Sequence, residues 1–171
     1  MTDNELAMLY PIGIQSFSEI REGGYVYVDK TAAVFSLAST GKYYFLSRPR
    51  RFGKSLLVST MEAYFSGRKE LFKGLAMETL EKDWTTHPVL HLDLTGSRYT
   101  SISDLEEKLG RHLSKWESVY GKTGDLSDPA SRFEAVIEAA YLKTGNKVVI
   151  LIDAVSYTHL TLPTNSLVWI S

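Results

Sequence analysis

Apolar residues occur along this chain in two rhythms. Short strand-like runs fall at residues 43–46, 89–94 and 147–153, the last reading Lys147-Val148-Val149-Ile150-Leu151-Ile152-Asp153. The last run, apolar from Val148 to Ile152 with no polar alternation, predicts a strand buried on both faces, as in a parallel sheet. Between the last two runs, Leu105, Leu109, Leu113 and Trp116, and then Phe133, Val136, Ile137, Ala140 and Tyr141, recur at helical spacing. Asp128-Pro129 suits the start of that second helix and Gly145 its end. Nearer the N-terminus, residues 25–28 are β-rich after Gly23-Gly24, and Asp29 or Thr31 caps a helix running to about Thr40. A further helix runs through Phe65 and stops at Gly67, and residues 68–87 read as a polar connector containing aromatics. Strand, helix, strand, helices, strand predicts an α/β fold with a mostly parallel sheet flanked by helices.

The chemistry concentrates after the first run. Ser47-Arg48-Pro49-Arg50-Arg51-Phe52-Gly53-Lys54-Ser55 joins a strand to a helix, as a phosphate-binding loop does. A tight turn at Gly53 lets successive backbone N–H groups face a phosphate, and the new helix adds the positive end of its dipole. Lys54 would reach the β and γ phosphates of a nucleoside triphosphate, with the Ser55 hydroxyl on Mg²⁺. The usual G-x-x-x-x-G-K-[ST] pattern wants glycine where this chain has Arg48. The plainer alternative is a basic turn before an amphipathic helix, its arginines solvated or holding an anionic partner.

The run that ends at Asp153 has the form of the second, magnesium-side motif of such proteins. Ligands in open α/β sheets sit at the carboxyl ends of the strands, where Ser47, Asp93 and Asp153 are all expected. After Asp153 no charged residue follows, through Ser171. Val155-Ser156-Tyr157-Thr158-His159-Leu160-Thr161-Leu162-Pro163-Thr164 resembles, residue for residue, the translation of a transposon-end adapter used in sequencing libraries. The reading is therefore a partial domain over 1–154 followed by a non-native tail over 155–171.

Composition narrows the classes. Nineteen Lys+Arg against twenty Asp+Glu leave a net charge of −1, so affinity for nucleic acid must come from a local patch. With no cysteine, disulfides, thiolate-bound zinc and a thiol nucleophile are excluded. No apolar run approaches a membrane span and no secretory signal opens the chain, so a cytoplasmic location is expected.

Tyr10-Pro11-Ile12-Gly13-Ile14, Tyr27-Val28-Asp29-Lys30-Thr31, the loop from Ser47 to Ser55 and Leu151-Ile152-Asp153 together resemble the bacterial AAA-ATPase-like family. Its members often carry a PD-(D/E)XK-type nuclease domain after the ATPase, and the family tolerates arginine at position 48. The resemblance implies a P-loop NTPase, here C-terminally truncated, that binds ATP and Mg²⁺. Arg48, Arg50, Arg51, Phe52, Gly53, Lys54 and Ser55 would form the nucleotide loop. Ser55 and Asp153 would serve the metal, and Asp153 would be the catalytic-side acid. The family's strand continues with glutamate where this chain has Ala154, so hydrolysis by the fragment is expected to be suppressed. In the intact protein the ATPase would drive or gate an effector such as a nuclease, through which nucleic acid would be a partner; an oligomer is compatible with the resemblance.

In the additional-strand class of NTPases, two strands that follow the Asp153 strand flank the phosphate-loop strand. Truncation is then expected to leave residues 43–46 without hydrogen-bonding neighbours and the fragment prone to aggregate. In the kinase and GTPase order, the Asp153 strand would lie beside the loop strand instead. The functional alternative is a non-hydrolysing module that holds anions or nucleic acid through Arg48, Arg50 and Arg51. Asp93 reads either as a solvated strand-end acid or as a group that orients water. Arg21, Asp29 and Lys30 could line the nucleotide, with capping and solvation as the plainer roles. His87, His91 and His112 read as structural, with no acid pattern nearby.

Overall fold

The computed structural model describes residues 9–47, 49, 51–95, 101–122 and 127–153, and the backbone of a strand at 165–170. Its elements in order are α1 (Phe17–Glu22), α2 (Thr31–Thr40), β1 (Tyr43–Ser47), α3 (Lys54–Phe65), a 3₁₀ turn (Lys69–Phe72) and α4 (Ala76–Leu80). Then come β2 (Val89–Asp93), α5 (Ile102–Tyr120), α6 (Pro129–Thr144), β3 (Val149–Asp153) and β4 (Asn165–Ile170). The strands form one sheet in the order β1-β4-β3-β2. β2 and β3 are parallel, and β4 runs antiparallel to both β1 and β3. β1, β2 and β3 therefore point the same way.

β3 shows why the sheet is layered. Val149 and Leu151 join a core with Phe17, Val34, Val58, Met61 and Phe72, from α1, α2, α3 and the 3₁₀ turn. Val148 and Ile150 point the other way, into a second core with Leu90, Leu113, Trp116, Val136 and Ala140. With helices on both faces, every side chain of this strand is apolar until the terminal acid, which accounts for the unbroken run.

Several boundaries follow from local chemistry. Asp29 Oδ1 accepts from the Thr31 backbone N–H and hydroxyl, at 2.8 and 2.7 Å, and thereby starts α2. Ser101 and Asp104 form a reciprocal capping box at the start of α5, and Asp128 caps α6 ahead of Pro129. Gly67 at φ 71° and Gly145 at φ 68° take the left-handed turn that ends α3 and α6.

Four expectations are corrected. Residues 25–28 do not form a strand; they make a single bridge, Leu9 with Tyr25. The segment after α3 is not merely a polar connector: Leu71, Phe72, Leu75 and Met77 are buried there, on elements too short to show a period. β1 is not bare on both sides, because β4 pairs with it from Tyr43↔Trp169 to Ser47↔Asn165. β4 lies between β1 and β3, so the strand order is not one in which the Asp153 strand neighbours the loop strand.

Candidate functional site

Ser47, Asp93 and Asp153 all lie at one end of the sheet, since Asp93 is in register with Asp153, Asp153 with Ser166 and Ser47 with Asn165. Two strand spacings, about 10 Å, separate the ends of β1 and β3. The loop that leaves β1 turns back through two left-handed residues, Arg51 at φ 66° and Gly53 at φ 72°. A Cβ at Gly53 would meet nothing within 4 Å, so glycine is required there by conformation and not by crowding.

α3 starts immediately after Gly53, and no side chain caps it. Its first backbone donors and its dipole are thus directed toward the loop without a competing carboxylate or hydroxyl at the cap position. Lys54, the first helical residue, is only 9 % exposed, and its Nζ donates to the Pro49 carbonyl at 3.0 Å. The loop therefore folds over its own lysine. A buried ammonium stabilises an anion at the same place far more than a solvated one would. Ser55 follows in the first turn and is half-buried, whereas Phe52 and Arg51 are exposed. Arg48 and Arg50 lie outside the described residues.

On the acid side, Asp153 is buried at 5 % exposure, while Asp93 is exposed and its Oδ1 accepts from the Thr95 backbone N–H at 2.7 Å. The Asp93 carboxylate closes a turn, in keeping with the plainer reading. Among the described residues no three His, Asp or Glu side chains converge as a metal cage. Mg²⁺ does not require one: it is commonly held by one or two protein oxygens together with substrate phosphates and water. A hydroxyl on α3 and a buried carboxylate at the end of β3 fit that donor set.

Sequence reasoning missed an acid next to His91. Glu62, on α3, accepts a hydrogen bond at its Oε2 from His91 Nδ1 at 2.8 Å, which ties the helix after the loop to the middle of β2. Burial pushes the His91 imidazole down, but the hydrogen bond and charge of Glu62, with Asp93 and Asp153 nearby, outweigh it and hold its pKa above the ordinary value. The signal lay only in three-dimensional proximity, since the two residues are far apart in sequence. The other positions singled out are structural. Arg21 donates to the Leu71 and Lys73 carbonyls at 2.7 and 2.6 Å, and Asp29 Oδ2 accepts from the Ala76 N–H at 2.7 Å. His87 Nδ1 lies 2.9 Å from the Lys147 carbonyl.

The profile of a family described as predicted AAA-ATPase matches residues 11–166. The chain belongs to this family. Across 145 residues it is 42 % identical to an Azotobacter chroococcum mcd 1 protein described as an uncharacterized protein in the vnfD 5′ region. That match covers 84 % of this chain and 28 % of the relative, so the chain spans little more than a quarter of the relative's length. No solved structure matches it. No helix among the described residues is long and apolar enough to cross a membrane.

Proposed function

We propose that this chain is a P-loop module that binds ATP with Mg²⁺, and that in the intact protein its nucleotide cycle drives or gates an attached effector such as a nuclease. The observation that carries the reading is the conjunction at the start of α3: a left-handed Gly53, an uncapped helix and a buried Lys54 ammonium folded onto the Pro49 carbonyl. The β and γ phosphates would replace that carbonyl as the acceptor for Lys54, while the first backbone donors of α3 surround them. Ser55 and Asp153 would hold Mg²⁺, which supplies neutralisation of the charge that develops on the phosphates. Asp153, the last residue of β3, is buried at 5 % exposure.

Ala154 stands where the family's strand carries glutamate, and a methyl group cannot polarise an attacking water. This chain is accordingly a binder without turnover. The test is steady-state phosphate release by the purified 171-residue protein, with Ala154→Glu as the comparison. No release from the parent chain is expected. Release from the parent chain that vanishes in Lys54→Ala would overturn the claim of silence and leave the claim of binding intact.

A further inference from the structure

We propose that the exposed edge of α5 is a sequence-independent binding surface for the phosphate backbone of a nucleic acid, separate from the nucleotide loop. Lys108, Arg111, His112 and Lys115 line a shallow cleft of about 370 Å³. They stand at i, i+3, i+4 and i+7, so they form one stripe about 10 Å long on a single helix edge.

The helix is segregated by charge. Its apolar stripe, with Leu113 and Trp116, packs into the second core. Glu117, on the far edge, is held by a two-pronged pair with Arg132 of α6, both contacts at 2.8 Å. The basic stripe lies on the edge turned away from that pair. Three acids share its neighbourhood, and each is engaged: Asp104 accepts from the Ser101 N–H at 3.0 Å, Glu107 faces Arg111 at 4.0 Å, and Asp93, beside His112, accepts from the Thr95 N–H at 2.7 Å. Lys108 Nζ donates to the Thr95 carbonyl at 2.8 Å, which anchors the stripe beside the end of β2.

The chemistry favours a phosphate backbone over a protein segment. A docked peptide draws most of its affinity from apolar or aromatic anchors in pockets, and the cleft is lined by these four basic side chains. Trp116 is buried, its ring tilted 38° to that of His112 at 5.5 Å, so no aromatic platform is offered to bases. What remains is positive charge at one-turn spacing, the footprint of backbone contact without base reading.

Three permanent cations set the expected strength of the salt effect. Binding of a short fluorescein-labelled DNA duplex of mixed sequence, followed by anisotropy, should weaken about 40-fold between about 50 and 200 mM salt. In Arg111→Ala/Lys115→Ala, the same salt change should weaken binding by only about 3- to 4-fold. Arg111→Glu/Lys115→Glu should abolish binding with the unfolding temperature unchanged, since both side chains are exposed. Lys54→Ala should leave DNA binding as it was. The proposal is overturned if the duplex does not bind at the lower salt, if both double variants keep the parent's salt dependence, or if polyglutamate displaces the DNA at equal charge concentration. The last result would assign the cleft to an acidic protein segment.

Discussion

His91 and Glu62 show how much a single contact can couple. The pair joins α3, which carries Lys54 and Ser55, to β2, whose end is in register with the end of β3. The folded-state pKa of His91 is raised, so the pair's contribution to stability is complete below the unfolded value of about 6.5 and is lost as pH rises through the folded value. In Glu62→Gln the lowering effect of burial meets less opposition. The imidazole should then titrate at lower pH by proton NMR, and the loss of stability between neutral and mildly alkaline pH should shrink. An unchanged titration would mean that Glu62 does not set the charge of His91. Lys54 acts at the same scale in a different way, since its position at the first turn of α3 gives its ammonium a place inside the loop.

At the scale of elements, Asp29 does more than cap. One carboxylate oxygen starts α2 through Thr31, and the other accepts from the Ala76 N–H at the start of α4. Burial pushes this carboxyl up, yet the hydrogen bonds from Ala76 and Thr31 prevail and hold it below its ordinary value. Its contribution is therefore present above about pH 4 and is lost as pH falls through the depressed value. Asp29→Ala should cost about 1–2 kcal/mol in denaturant unfolding near neutral pH. A change within error would show that water replaces both bonds. This position also marks what the sequence made legible. Asp29 at the start of α2, the shared direction of β1, β2 and β3 and the bounds of α3 and α6 could all be read, because each rests on local rhythm or on a residue with one strong preference. The burial of Phe72 and Met77 could not be read, since their elements span too few residues for a period to show. Tyr25 and Val28 carried β propensity that no neighbouring strand used, a tertiary override of local preference. The turn at Gly53 and the start of α3 at Lys54 were legible from spacing, whereas the Glu62–His91 pair required the fold.

For the whole molecule, the sheet is covered unevenly. Helices lie on both faces of β3, but Tyr43 and Phe45 of β1 are 67 % and 56 % exposed on the face that α5 and α6 do not reach. β1 also ends the strand order, with β4 on one side only. An edge strand with aromatic side chains in solvent is a template for association. Tyr43→Ser/Phe45→Ser should reduce concentration-dependent self-association in sedimentation velocity while leaving the unfolding midpoint nearly unchanged. Equal association by parent and variant would place the sticky surface elsewhere. Residues 165–170 supply the strand between the loop strand and the Asp153 strand, antiparallel to both. The central pairing of the sheet thus reverses direction.

The central claim is that Lys54 holds phosphate at the start of α3, and equilibrium titration of ATP into the parent chain and Lys54→Ala, with and without Mg²⁺, tests it most directly. Saturable binding that needs Mg²⁺ and falls at least tenfold in Lys54→Ala, with Lys54→Arg intermediate, is the predicted result. Binding of equal strength by the parent and Lys54→Ala, or no ATP binding by a parent chain shown to be folded, would contradict the account.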